Sequence, residues 1–467
     1  VFGCIRLGRK VVGEFVPRAR RFVALVSALI IGLAAPASEA ARGSLIRDAE
    51  IEDTIRAYAA PVFRVAGLDA AAVRVFLIND PELNAFVAGG QNLFMFTGLL
   101  TASDTPNQTI GVIAHETAHI AGGHIARGAG AMQSASTAAL VGILMGIAAA
   151  IGGRGDAGMA AAIGSMTTAG GYMAQFSRTQ EAAADQAAAT YLERTGQSAR
   201  GYLEILKKLA DNELLTQSRQ ASYARSHPMS RERVAFLSEH VEKSKFSDAP
   251  INPVLRDRHL RMVAKLRGFL DPPGRTFRHY PEGDTSLYAR YARAIAHHRA
   301  GDEAKSIAAI DELIARHPLD PYFHELRGQV LMERGRVAES LPSFARAREL
   351  KPDNPLLATL QGQALIAADD PALIKTAIEA LEWSVRRDAT DSGAWHSLSV
   401  AYGRSDRFGD AALASAEKSM LTGDFVGARD QSKRAQTRLR QGSPGWLRAQ
   451  DIESEAQRLV RLQRGGG

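Results

Sequence analysis

The sequence predicts a mainly α-helical protein in two parts, a helical domain carrying a small β-sheet and then an α-solenoid. Three observations carry this prediction. Ile110, Ile113 and Ile120 recur at helical spacing around His115-Glu116-Thr117-Ala118-His119. Upstream of them Val73, Val75 and Leu77 alternate as a strand does. From residue 286 onward, residue types recur at a long fixed period.

The chain has 467 residues, 23% of them charged, enough for two or three domains at roughly 100 to 200 residues each. Its net charge is +7 and its pI about 9.5. Much of that charge is local. Arg6, Arg9, Lys10, Arg18, Arg20 and Arg21 outweigh Glu14 and Glu39 by four in residues 1–40. About +3 is left for the remainder, a poor footprint for nucleic acid.

Residues 1–40 have the layout of a signal peptide. Arg18, Arg20 and Arg21 precede the apolar run Phe22 to Ala35, and Ser38-Glu39-Ala40 places small residues for cleavage near Ala40. The run is short for a membrane span. Cys4 is the single cysteine and precedes the run, so cysteine would hold neither a lipid nor a metal in the mature chain.

Residues 45–75 read as helix, with Ile46, Ile51, Ile55 and Tyr58 on one face. The strand at 73–77 ends in the turn Asn79-Asp80-Pro81, and a second strand segment runs from Asn84 to Phe96, interrupted by Gly89-Gly90. The next helix carries the HExxH motif. Residues four apart share a helix face, so both imidazoles can reach one metal ion with Glu116 beside it. Two histidines and a third protein ligand make a zinc site with one open position, and Glu116 can take a proton from water there. Two histidines and a glutamate in an otherwise apolar helix are costly unless paired or metal-bound.

Residues 135–176 are almost wholly apolar, broken by Arg154 and Asp156. Their Ala, Gly, Ser and Thr content suits a helical hairpin over the site or against a membrane surface better than a transmembrane hairpin. Ser177 to Gln180 then fits a capping box. Glu181 falls in the first turn, where the helix dipole favours a carboxylate, and is the candidate third ligand. Asp185, one turn on, can accept a proton from the outer nitrogen of a ligating histidine.

His124 falls one short of the position at which metzincins place a third histidine, which is Ile125 here. On a continuous helix His124 lies about 180° from His115, so it is expected to face elsewhere, as a structural or surface residue. His227, in Ser226-His227-Pro228-Met229, can donate to the oxyanion of a tetrahedral intermediate, or occupy the open metal position and block it.

Polar residues and Pro250 and Pro253 mark a boundary, and a connecting helix from about Val254 to Phe269 leads to Asp271-Pro272-Pro273-Gly274. Beyond it Gly301 and Gly335, Pro318 and Pro352, Ile310 and Phe344, Ala294 and Gly328, and Gly328 and Gly362 are pairs with the period of about 34 that marks tetratricopeptide repeats. Asp369-Asp370-Pro371 is a short insertion. Trp395, Leu398, Tyr402 and Ala411 mark a fourth repeat, Gly423 and Ala428 a partial fifth, and residues 446–463 a capping helix. The domain plan is a signal peptide at 1–40, a metallopeptidase domain at 45–245, a linker at 246–285, repeats at 286–440 and a cap at 441–467.

His115, Glu116 and His119 with Glu181 and Asp185, preceded by Asn84-Ala85-Phe86 and Thr97-Gly98 and followed by His227-Pro228, resemble the gluzincin peptidases of the HtpX and CAAX-protease superfamily. With the signal peptide and the repeats, the chain resembles the periplasmic β-barrel assembly-enhancing protease family. The resemblance implies a zincin-like domain, one zinc ion per chain on His115, His119 and Glu181, and Glu116 as general base and then acid. It also implies an edge strand beside the metal that pairs with substrate. Misfolded or stalled outer-membrane proteins would be the substrates, with the repeats docked on the barrel assembly machinery in the periplasm. Two alternatives fit the same residues: a chaperone or assembly scaffold with minor or latent peptidase activity, and an integral membrane protease spanning with residues 135–176.

Overall fold

The computed structural model describes residues 44–88, 90–124, 177–213, 227 and 230–465. The signal-peptide and apolar-hairpin expectations, and Pro228, lie outside the described residues.

Four strands form one sheet in the order β1-β2-β4-β3. They are β1 (Ser44–Ile46), β2 (Arg74–Asn79), β3 (Ala85–Ala88) and β4 (Asn92–Phe96). β1 runs antiparallel to β2 with Ser44 opposite Asn79, and β2 runs parallel to β4 with Val75 opposite Leu93. β3 and β4 make an antiparallel hairpin with Ala85 opposite Met95, turned at Gly90, whose φ of +95° suits glycine. The period of two sorts the side chains. Leu77, Val87, Leu93 and Met95 enter the main core. Phe76, Phe86 and Phe94 stack on the opposite face at centroid separations of 5.0 and 4.8 Å.

The expected helix over 45–75 is shorter than predicted. Ile46 belongs to β1, and α1 spans Ala49–Val65. Asp48 explains the start: extended in backbone, it accepts a hydrogen bond from the Ile51 amide at 2.9 Å.

Short α2 (Thr97–Ala102) leads to α3 (Pro106–Ala121), which carries the HExxH motif, and α4 (Arg178–Arg194), α5 (Arg200–Glu213) and α6 (Arg231–Lys243) complete this part. α3 packs against α4 and α5 and touches β3, one of the sheet's two edge strands. Its approach to α5 is close because Gly111 lies on Tyr202: a Cβ there would stand 2.4 Å from the Tyr202 Cβ. Burial from Thr109 to His119 leaves the polar residues of α3 inside the protein.

α7 (Pro253–Leu270) is the expected connecting helix, followed by α8 (Pro273–His279). The repeats pair α9 (Leu287–Arg299) with α10 (Glu303–Arg316), α11 (Pro321–Glu333) with α12 (Val337–Leu350), and α13 (Pro355–Ala367) with α14 (Ile374–Arg387). α15 (Ser392–Arg404) pairs with α16 (Phe408–Leu421), and α17 (Phe425–Gln436) with α18 (Pro444–Gly465). Small residues are needed inside two of these pairs. A Cβ on Gly328 would meet the Phe344 ring at 3.0 Å, and one on Gly362 would meet Leu381 at 2.5 Å. The insertion after α13 forms a 3-10 turn at Pro371–Leu373.

The start of α1 is bound into the repeats by buried charge. Lys265 of α7 lies 2.8 Å from Asp48 and 3.5 Å from both Glu50 and Glu325. Glu50 also accepts from Arg261 at 2.8 Å and from the Tyr291 hydroxyl at 2.7 Å. Asp53 accepts from Tyr322 at 2.6 Å and pairs with Lys351 at 3.0 Å, and Arg47 reaches Asp388 at 2.6 Å. Ala49 packs on Leu356 and Leu357 among these groups. Among the described residues no helix is long and apolar enough to cross a membrane.

Candidate metal centre and catalytic site

α3 presents His115 and His119 one turn apart, with ring centroids at 4.7 Å. α4 begins as its sequence predicts: Ser177 accepts from the Gln180 amide, and the Gln180 side chain accepts from the Ser177 amide. The box sets the first turn of α4, so Glu181 points at the histidines. Its Oε2 is 3.4 Å from His115 Nε2 and its Oε1 is 3.4 Å from His119 Nε2. His227 comes from the segment before α6, with Nδ1 3.2 Å from His115 Nε2 and 3.0 Å from Glu181 Oε1. The four side chains are buried, and their ligand atoms lie within 4.8 Å of one another.

These distances fit a metal cage. Ligands at the zinc–nitrogen distance in a tetrahedron are separated by about 3.3 Å, and five of the pairwise approaches here run from 3.0 to 3.4 Å, with all four groups inside 4.8 Å. Four lone-pair donors with little water access are poor partners for one another and good ones for a cation.

The carboxylates make the cluster favourable to positive charge, and the two histidines of α3 respond in opposite directions. Burial works against charge at Glu181, yet His227 and His115 hold its carboxyl well below the usual range. Burial also disfavours a charged His115, but the carboxylates of Glu181 and Asp185 lift it to about 9. His119 is pushed down to about 3, by burial first and then by its histidine neighbours. Its lone pair is therefore available at neutral pH.

Glu116 lies beside the cluster. Burial raises its carboxyl, and among the described residues its oxygens accept no hydrogen bond. Oε1 is 3.3 Å from His227 Nε2. Asp185 sits behind His115, its Oδ1 3.0 Å from His115 Nδ1.

Three neighbours of these groups are Arg233 and Tyr202, given no role from the sequence, and His124, expected there to be structural or surface. Arg233 of α6 donates from Nε to Asp185 Oδ2 at 2.7 Å, and its Nη1 is 2.7 Å from Glu181 Oε2. The Tyr202 hydroxyl donates to Asp185 Oδ1 at 2.6 Å. Both contacts are long-range, and only the apolar surroundings of Tyr202 and the placement of Arg233 six residues after His227 hinted at them. The third is His124, which the helical wheel sends away from the site. The helix stops first: Gly122 caps it, Gly123 takes a φ of +62°, and the His124 ring returns to His119.

A model for peptidase family M48 matches residues 46–241, and a tetratricopeptide repeat model matches residues 289–355. The chain is similar to the β-barrel assembly-enhancing protease of Escherichia coli (strain K12), 25% identical over 389 residues, covering 79% of this chain and 75% of that one. The protein of the same name from Yersinia pestis is 24% identical over 373 residues, with the same coverage. Metalloprotease LoiP of Escherichia coli (strain K12) is 30% identical over 168 residues, covering 36% of this chain and 62% of that one.

Proposed function

Starting from a chain that is a metallopeptidase resembling the β-barrel assembly-enhancing protease family, we propose that it is a zinc endopeptidase acting on misfolded or stalled outer-membrane proteins. The observation that carries this reading is the buried convergence of His115, His119, Glu181 and His227 beside Glu116. His115, His119 and Glu181 would hold one zinc ion. When bound, zinc supplies a Lewis acid that acidifies water and polarises the scissile carbonyl.

The remaining work belongs to the side chains. Glu116 is the general base and then the general acid, taking the proton of the attacking water and passing it to the leaving amine. Its carboxylate is buried and accepts no hydrogen bond among the described residues, with His227 Nε2 3.3 Å from Oε1. Asp185 Oδ1, 3.0 Å from His115 Nδ1, is placed to hold the ring so that Nε2 would face the metal. Arg233 and Tyr202 fix Asp185 in turn.

His227 sits where a substrate carbonyl or water must enter, among the ligand atoms at 3.0–3.2 Å. In this arrangement it covers the site, and proteolysis requires it to withdraw. β3 is the edge strand next to α3 and would pair with an extended substrate backbone.

The protein would work in the periplasm, after export by residues 1–40, in peripheral contact with the outer membrane. The repeats would dock on the barrel assembly machinery, as the names of the relatives suggest. The covering by His227 also favours a second reading, an assembly factor or chaperone whose peptidase activity is mostly latent. In cells lacking the protein, Glu116→Gln separates the two. Full complementation would make assembly the main function, and loss of complementation with normal protein levels would make it proteolysis.

A further inference from the structure

His124 bears on how the metal is held. α3 ends at Ala121, and Gly122 and Gly123 turn the chain back. A Cβ on Gly122 would stand 2.7 Å from His124 Nε2, so the glycine leaves space for the returning ring. His124 is 6% exposed, its ring is edge-on to that of His119 at a centroid separation of 5.0 Å, and the two Nδ1 atoms are 3.0 Å apart.

Two Nδ1 atoms at that distance must share one proton, and the other nitrogen of His119 decides which ring owns it. His119 Nε2 faces His115 Nε2 at 3.1 Å and Glu181 Oε1 at 3.4 Å. If that lone pair is the metal ligand, the proton of neutral His119 is on Nδ1. His119 is then the donor, His124 Nδ1 the acceptor, and the proton of His124 is on Nε2.

We propose that His124 is a positioning residue, the acceptor that fixes the tautomer and the ring plane of His119 so that Nε2 is presented to the metal. It does for His119 what Asp185 does for His115 at 3.0 Å. The partners differ in charge, a carboxylate behind one ligand and a neutral imidazole behind the other. The inference rests on the metal-site reading above.

The test is zinc affinity, measured by competition with a chromogenic chelator on the whole purified chain. His124→Asn places an amide oxygen near the position of Nδ1, and His124→Leu places a methyl group there. Loss of an outer partner weakens metal binding by about 10–100-fold. That loss is expected in His124→Leu, with His124→Asn close to wild type. Equal affinity loss in both variants, or wild-type affinity in His124→Leu, overturns the proposal. If His124→Leu does not fold, His124→Asn decides alone, wild-type affinity supporting the acceptor role and weakened affinity overturning it. His119→Ala is the control. Zinc affinity that falls in His119→Ala but not in His124→Leu overturns only the role of His124, and affinity unmoved by His119→Ala overturns the metal-site reading with it.

Discussion

Asp185 Oδ1 lies 3.0 Å from His115 Nδ1, and the same carboxylate is held by the Tyr202 hydroxyl at 2.6 Å on Oδ1 and by Arg233 Nε at 2.7 Å on Oδ2. The orientation of the His115 ring thus depends on residues from α4, α5 and α6. Asp185→Asn keeps the size of the side chain and removes the charge that Arg233 neutralises. It should weaken zinc binding by about 10–100-fold, read as the chelator concentration that strips half the metal. An unchanged stripping curve would mean that Asp185 serves packing alone.

His227 contributes Nδ1 to the ligand cluster while its Nε2 faces Glu116. If it covers the site, His227→Ala should raise the hydrolysis of an unfolded model substrate several-fold with zinc content unchanged. A large fall in kcat with KM unchanged would instead assign it to the stabilisation of the transition state.

Lys265 is 2% exposed among three carboxylates. Removing one partner of a buried ionic cluster leaves uncompensated charge and costs about 3–5 kcal/mol. Lys265→Met should lower the denaturation midpoint accordingly, because α1 and the repeats are joined there. A shift smaller than about 1 kcal/mol, the size expected of a surface pair, would show that the cluster does not join them.

Glu325 belongs to the same cluster. Burial lifts its carboxyl to about 8, with Asp48 and Glu50 adding to the rise and Lys265 opposing it. An unfolded glutamate titrates near 4.5, so between these values the folded state holds the extra proton. Stability from this group is present at low pH and is lost as pH rises through that window. Glu325→Gln should flatten the decline relative to wild type in a pH series of denaturation midpoints. Identical slopes would place the titration elsewhere.

How much of this was legible in the sequence depended on range. HExxH on a buried helix, the Ser177–Gln180 box that aims Glu181, and the repeat period are local patterns, and each has its element in the structure. Ile46 shows where period alone misleads. It fits the apolar face of α1 but pairs with Leu77 in the sheet, and Asp48 as N-cap was the signal that the helix starts later. His124 was placed by assuming a continuous helix, although Gly122-Gly123 in the sequence already marked a stop. Arg233 and the cluster around Lys265 had no local signature. Their partners are 48 residues apart for Arg233 and Asp185, and 60 for Lys265 and Glu325, and only the fold brings them together.

The central claim is that His115, His119 and Glu181 hold one zinc ion at which Glu116 moves the proton. The direct measurement is metal content together with hydrolysis of an unfolded substrate, for wild type and Glu116→Gln side by side. The account predicts one zinc per chain in both proteins, and a rate in Glu116→Gln reduced by about 10²–10⁴-fold. A wild-type protein without stoichiometric zinc, or a Glu116→Gln variant as fast as wild type, would contradict it.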